Sequence, residues 1–473
     1  MAQPRNVVLL VADSLRWDTV HRGPTGLSYL GQRGLRFDQA RSGGCWTLPA
    51  TASMFTGLSP HEHGADAQTR SINQAPTLAE RMKRLGMSTH MVTANVATTD
   101  IFGLDRGFDT MDRVWKLVDA KAHRRIHEAL VLAGKPRLRK KVLSKDFVMG
   151  KMSEDLEASK VWLQSTADVV FDRTRQLLEQ NAQKNQRGFF FLNLMESHFP
   201  YHIADAFECS ADTLIGQLRE LYSLYHLVNQ TWLTNDHQYF DPQMLDLLRR
   251  RQRLAWERLA QRVDAFVQEL REKHDATVVF CADHGDNFGE QGWLYHFSNV
   301  TDAGNRVPLY VLPHDRDLAR TSEAPVSARD VFGTLLRNAG DPDPTLISLL
   351  DSTVDRSLPV LESFWYNNSG KTLPQFRYNQ FAFVAGGMRY ANRRGIWSQA
   401  PATRGLATEA TFIELDRGVD PLQERIDTAD HMMRLRRSWN DFSAFSQNIL
   451  SRRDVSTVAT PAASAGTVEY VTS

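Results

Sequence analysis

Cysteine is scarce in this chain: Cys45, Cys209 and Cys281 are the only three among 473 residues. Three thiols, one of them inside a predicted strand, cannot knit a disulfide framework. Neither sign of charge prevails. Lysine and arginine total 56 against 55 aspartates and glutamates, a net charge of +1, so nothing draws the chain globally to nucleic acid or to a membrane, and no nucleic-acid partner is predicted. Apolar runs long enough to span a bilayer are missing as well. The stretch Val7 to Ala12 is too short for a signal-peptide core and is needed as a first strand, so a cytoplasmic location is expected. No internal repeat is evident.

What is present is a set of short apolar runs that stop at polar residues. Asn6 to Ala12 ends at Asp13, and Val278 to Ala282 ends at Asp283-His284-Gly285. Runs without polar alternation suit strands buried on both faces, as in a parallel sheet. Ligands of open α/β sheets lie outside the carboxyl ends of the strands, which lets Asp13 and Asp283 meet despite their separation in sequence. An Asp-His pair offers a hard oxygen and a borderline nitrogen to a metal, and the following glycine turns the backbone without a side chain in the way. Taken singly, each signal has a plain structural reading: a polar strand-end turn for the Asp-His-Gly, and an N-cap for a helix beginning near Leu15 in the case of Asp13. A third run, Phe189 to Leu194, breaks into Glu196-Ser197-His198-Phe199-Pro200-Tyr201.

The segment Gly44-Cys45-Trp46-Thr47-Leu48-Pro49-Ala50-Thr51, continuing to Thr56-Gly57, resembles the nucleophile segment of the sulfatase branch of the alkaline phosphatase superfamily. There the nucleophile stands two residues before a proline, which makes it Thr47 here. The arginine usual four positions later is Thr51. The resemblance implies an α/β fold with a large, mostly parallel central sheet flanked by helices, followed by a small C-terminal antiparallel-sheet subdomain. Sulfatases of this branch oxidise a cysteine or serine at the nucleophile position to formylglycine, and threonine cannot be so converted. Cys45 lies two residues too early and lacks the following proline and arginine. A threonine ester is resolved by a second attack at the central atom, which phosphorus tolerates far better than sulfur. The threonine therefore resembles that of phosphodiesterases, phosphonate hydrolases and phosphoethanolamine transferases.

The same resemblance implies the rest of a site. Asp13, Thr47, Asp283 and His284 become ligands of one divalent metal ion, while Ser14 stands where sulfatases often carry a second acid; zinc or manganese is favoured over magnesium or calcium. A second metal would draw on His198, His202 or Asp205. His198, just before x-Pro-Tyr in the family's central strand, and His296, at the family's distance after Asp-His-Gly, are the residues expected to handle the substrate's anionic oxygens and leaving group. Arg306 is a substrate-binding candidate, although a surface salt bridge with Asp302 explains it equally well; His61 and His63 are expected to brace the turn after the nucleophile helix.

Three regions follow: a catalytic α/β domain over 1–375 with a basic insertion at 115–150, a C-terminal α+β subdomain over 376–451, and a Ser/Thr/Ala/Val-rich tail over 452–473. The basic residues between Lys116 and Lys145 read either as a solvated insertion or as a dock for an anionic surface. Helices are predicted over Pro76–Gly86, Glu154–Asn181 and Met244–Lys273, and a last one from Asp420. The expected activity is metal-dependent hydrolysis or transfer of small-molecule phosphate-type esters through Thr47 and a covalent phospho-enzyme. The alternatives are a sulfuric ester hydrolase without formylglycine and a non-catalytic anion-binding relative.

Overall fold

The computed structural model describes residues 5–23, 26–65, 71–118, 165–201, 241–296 and 299–352, together with six strands between 360 and 458. The basic insertion beyond 118, His202, Asp205, Cys209, the helix expected from Asp420 and most of the tail lie outside the described residues.

Eight strands build the main sheet: Asn6–Ala12 (β1), Leu35–Phe37 (β2), Ser88–Thr93 (β3), Thr110–Arg113 (β4), Gly188–Leu194 (β5), Ala276–Cys281 (β6), Leu309–Leu312 (β7) and Arg320–Ser322 (β8). Their spatial order is β8-β2-β7-β6-β1-β5-β3-β4. Every pairing is parallel except those of β7 with β6 and with β2. The apolar runs explain the centre. Each side chain from Val7 to Ala12 and from Phe189 to Leu192 is fully buried, so both faces of these strands need cover.

Helices supply it in two groups. Ala167–Gln183 (α3) and Pro242–His274 (α4) pack together, with Phe171 stacked on Phe266 at 4.1 Å between ring centres. Thr47–Thr56 (α1), Leu78–Arg84 (α2) and Val331–Ala339 (α5) contact one another in the second group. The helix predicted over Met244–Lys273 is α4, opened by Asp241 accepting from Gln243 N and by a proline in its first turn. No helix among the described residues is long and apolar enough to cross a membrane.

A second, antiparallel sheet follows as a meander: Val360–Trp365 (β9), Gln380–Ala385 (β10), Met388–Arg393 (β11), Ile396–Pro401 (β12), Thr411–Glu414 (β13) and Ser456–Val458 (β14). Its first strand precedes residue 375 and its last falls within the tail. Arg389 of β11 fastens this sheet to the segment between β6 and β7 of the main sheet. Its guanidinium donates to Val300 O and lies 3.9 Å from Asp302, which also pairs with Arg41 at 3.1 Å and Arg306 at 3.9 Å. All four charged groups are buried, so the Arg306–Asp302 pair is interior and the surface salt bridge considered from the sequence is corrected.

Candidate active site

Strand register brings the site together. Ala12 pairs with Leu194, Val11 with Cys281, and Thr93 with Asn193, so β6, β1, β5 and β3 end level with one another. Asp13, the Asp283-His284 pair, the Glu196-Ser197-His198 turn and Asn95 therefore all emerge at one carboxyl edge, as in open α/β sheets generally.

Thr47 arrives from a different direction, as the first residue of α1, preceded by an extended Trp46. Its Oγ1 lies 3.4 Å from His284 Nε2 and accepts from Asn95 Nδ2 at 3.3 Å. His284 Nδ1 faces the Gly285 carbonyl at 3.0 Å, which can only accept. The proton is thereby placed on Nδ1, and Nε2 turns a lone pair toward Thr47, Asp13 at 3.9 Å and Asp283 at 3.5 Å. Gly285 is required by space. A Cβ there would stand 2.3 Å from the Ala303 carbonyl oxygen.

The two carboxylates are held by local donors. Asp13 Oδ2 accepts from Asn95 at 2.7 Å and Asn193 at 3.3 Å, and Oδ1 from the Ser14 hydroxyl at 3.1 Å. Asp283 Oδ1 accepts from the backbone N–H of Ser14 and His284, at 3.0 and 2.9 Å. Ser14 reaches both because its backbone adopts a positive φ of 58°. Asp283 Oδ2 is buried and has no hydrogen-bond donor among the described residues. Burial and the charge of Asp13 push the Asp283 carboxyl well above the usual range; at Asp13, burial is outweighed by His198 and His284, and the pKa falls. Among the described residues no lysine or arginine neutralises either acid. Coordinating atoms of Asp13, Asp283 and His284 all lie within 4.8 Å of one another. Two adjacent buried carboxylates, an orphan oxygen and an aimed imidazole lone pair fit a divalent cation.

The remaining histidines sit beside this group. His198 Nδ1 donates to the Phe199 carbonyl at 2.7 Å, and its Nε2 receives the Tyr295 hydroxyl at 3.2 Å. The turn bearing it is anchored by Glu196, whose Oε1 accepts from Thr166 N and Ala167 N at the start of α3. His296 lies 4.5 Å from His284 and 5.3 Å from His198, ring centre to ring centre. Burial, with His284 and His198 nearby, pushes its pKa well down. The Arg306 side chain turns to other groups: Nε donates to Asp38 O at 2.8 Å, and the guanidinium lies 3.8 Å above the Trp17 ring. His63 is buried and bridges Ser53 and Ala65 N, bracing the turn after α1.

Sequence reasoning missed Asn95, Asp286, Tyr201 and Tyr295. Asn95 carried a usable signal, since it lies two residues beyond the end of β3 and so obeys the strand-end rule that singled out Asp13 and Asp283. Asp286 is fully buried, and burial pushes its pKa up to about 6.

Several solved structures share this fold. A protein described as belonging to the alkaline phosphatase superfamily, from Vibrio parahaemolyticus, superposes with a TM-score of 0.52 at 14% identity, covering 96% of this chain and 90% of that one. The phosphonate monoester hydrolase of Agrobacterium radiobacter gives 0.56 at 14% identity over 97% of this chain and 100% of its own. BT4656, solved with its substrate D-glucosamine-2-N,6-O-disulfate, gives 0.57 at 13% identity over 96% and 99%. No curated protein matches the sequence significantly. Residues 5–340 match the sulfatase family, and the chain belongs to that family.

Proposed function

We propose that the chain is a metal-dependent hydrolase or transferase of phosphate-type esters that works through Thr47. The observation that carries this reading is the Thr47 hydroxyl, 3.4 Å from the lone pair of His284 inside the Asp13–Asp283–His284 group. Threonine at that place excludes the formylglycine route, and a threonine ester needs a second attack at its central atom, which favours phosphorus. A divalent cation held by Asp13, Thr47, Asp283 and His284 supplies Lewis acidity that makes the hydroxyl a competent nucleophile, and the mixed oxygen and nitrogen donors suit zinc or manganese.

The chain's own groups do the rest. Asn95, fixed because its Oδ1 accepts from Ala97 N at 2.7 Å, orients Thr47 and Asp13 together. His198 and His296, which lie beside this group, would handle the substrate's oxygens and leaving group. Phosphonate monoester hydrolases among the structural neighbours agree with this reading. A second reading, sulfate-ester hydrolysis, draws on the sulfated substrate of BT4656.

One experiment separates them: metal-reconstituted turnover of aryl phosphate monoesters, diesters, phosphonates and sulfates by wild type and Thr47→Ala. Phosphoryl turnover that disappears in the variant supports the proposal. Preferred sulfate turnover, or activity that survives the loss of Thr47, refutes it.

A further inference from the structure

We infer that Gln252, in the first half of α4, is a positioning residue for the site: its side-chain amide ties the Asp13-Ser14 turn to the Ser197-His198 turn and so fixes the two carboxylates and His198 relative to one another. The inference rests on the Thr47 metal-site reading above. Gln252 Nε2 donates to Ser14 O at 2.9 Å and to Ser197 O at 3.0 Å, and Oε1 accepts the Thr19 hydroxyl at 2.9 Å. A carbonyl can only accept, so the nitrogen end of the amide must face the pair. Gln252, Ser14 and Ser197 are all fully buried. The buried face of α4 around Gln252 carries Leu248, Ala255, Trp256 and Leu259. An amide set among such residues is destabilising unless its polar atoms are paired.

The end of the ladder explains why a clamp is needed there. β1 and β5 last pair at Ala12 and Leu194, and Asp13 N still donates to Leu194 O at 2.9 Å. Past that point both segments turn, and the carbonyls of Ser14 and Ser197 leave the ladder inside the protein, where each still needs a donor. One amide with two hydrogens serves both. The Ser197 hydroxyl closes the circuit by donating to Asp13 O at 2.7 Å. The positive φ of Ser14 aims its N–H at Asp283 Oδ1 and its hydroxyl at Asp13 Oδ1. Serine seldom holds this bend unaided, and Gln252 pins the carbonyl of the bent residue. Releasing that carbonyl frees Ser14 to relax, and both carboxylates then lose a donor together. On the other turn His198 directly follows Ser197. Neighbouring residues of α4 grip adjoining loops in the same manner, Arg251 through Pro200 O at 3.4 Å and Arg249 through Phe288 O.

Zinc and manganese titrations of the metal-free protein, with turnover of the best phosphoryl ester at saturating metal, test this. Gln252→Met keeps the length of the side chain and removes every hydrogen bond of the amide. It should raise the metal Kd about ten- to a hundredfold and lower kcat by about tenfold, on the scale of one or two hydrogen bonds. Val263→Ala, which opens a cavity on the same buried face of α4, supplies the comparison: Tm should fall while Kd and kcat keep wild-type values. Thr19→Val removes the partner of Oε1 and lets the amide turn. It should move Kd and kcat in the same direction by a smaller factor, and it decides the matter if Gln252→Met does not fold. A raised Kd supports the inference; a wild-type Kd, with or without a fall in Tm, overturns it. Asp283→Asn separates the two failures. If that variant binds metal as tightly as wild type, the underlying reading is wrong and takes the inference with it; if it loses metal while Gln252→Met does not, only the inference is wrong.

Discussion

The Asn95 side-chain amide stands 3.3 Å from the Thr47 hydroxyl while donating at 2.7 Å to Asp13. One planar group thus ties the expected nucleophile to an expected metal ligand. Hydrogen bonds to charged partners contribute about 1.5–3 kcal/mol. Asn95→Ala should therefore lower kcat/KM about ten- to a hundredfold with little change in Tm, and a variant that turns over like wild type would remove Asn95 from the site.

Removal of divalent cations should destabilise the protein, because Asp13 and Asp283 then face each other unscreened in a buried site. Cation at a hundredfold excess over its Kd adds about 2.7 kcal/mol to the native state. Melting curves after chelation, and again after zinc or manganese is restored, should show a fall and a recovery of Tm. Asp283→Asn should respond much less to either treatment.

Gly285→Ala should damage the site more than the fold. The new methyl would meet the Ala303 carbonyl oxygen at 2.3 Å and push the Asp283-His284 turn away from Thr47. Overpacking of this kind costs about 1–3 kcal/mol. Metal stoichiometry and turnover should both drop while the far-ultraviolet circular dichroism spectrum is retained.

Asp302→Asn should be among the most destabilising single changes outside the site. It would leave Arg41, Arg306 and Arg389 buried around a neutral amide. Breaking a buried pair costs about 3–5 kcal/mol, and urea unfolding should register that loss.

Stability should also fall with acid through His21. Burial, only partly offset by its contact with the Trp17 carbonyl, lowers this histidine from 6.5 to about 4. Between those values the unfolded chain binds a proton that the native state does not, so stability is full above pH 6.5 and is lost as pH drops toward 4. The loss is at most about 3 kcal/mol, less the screening at the ring's partly exposed edge. Unfolding free energies at pH 7 and pH 5 should diverge in wild type and converge in His21→Gln.

Much of the centre was legible because it is written in consecutive residues. The apolar runs at Val7, Phe189 and Val278 could only be strands covered on both faces, and each stops at the polar residues that occupy the sheet's carboxyl edge. The helix predicted over Met244–Lys273 announced itself through the helical spacing of its apolar residues, and the structure runs it from Pro242 to His274. The contacts of Arg306 were not legible. An Arg four residues beyond an Asp reads as a surface pair, and nothing local reveals that Arg41 and Arg389 converge on the same carboxylate in the interior.

The sequence by itself determined the central strands, the residues that end them and the threonine at the head of its helix, because apolar runs and helix starts are short-range properties. Tertiary structure alone decided that Asn95 reaches Asp13 across 82 positions, that Tyr201 reaches Asp286 across 85, and that the His296 ring lies against those of both His284 and His198. Those contacts follow from strand order and register, which are set by how the whole sheet buries its two faces and leave no mark on any one segment.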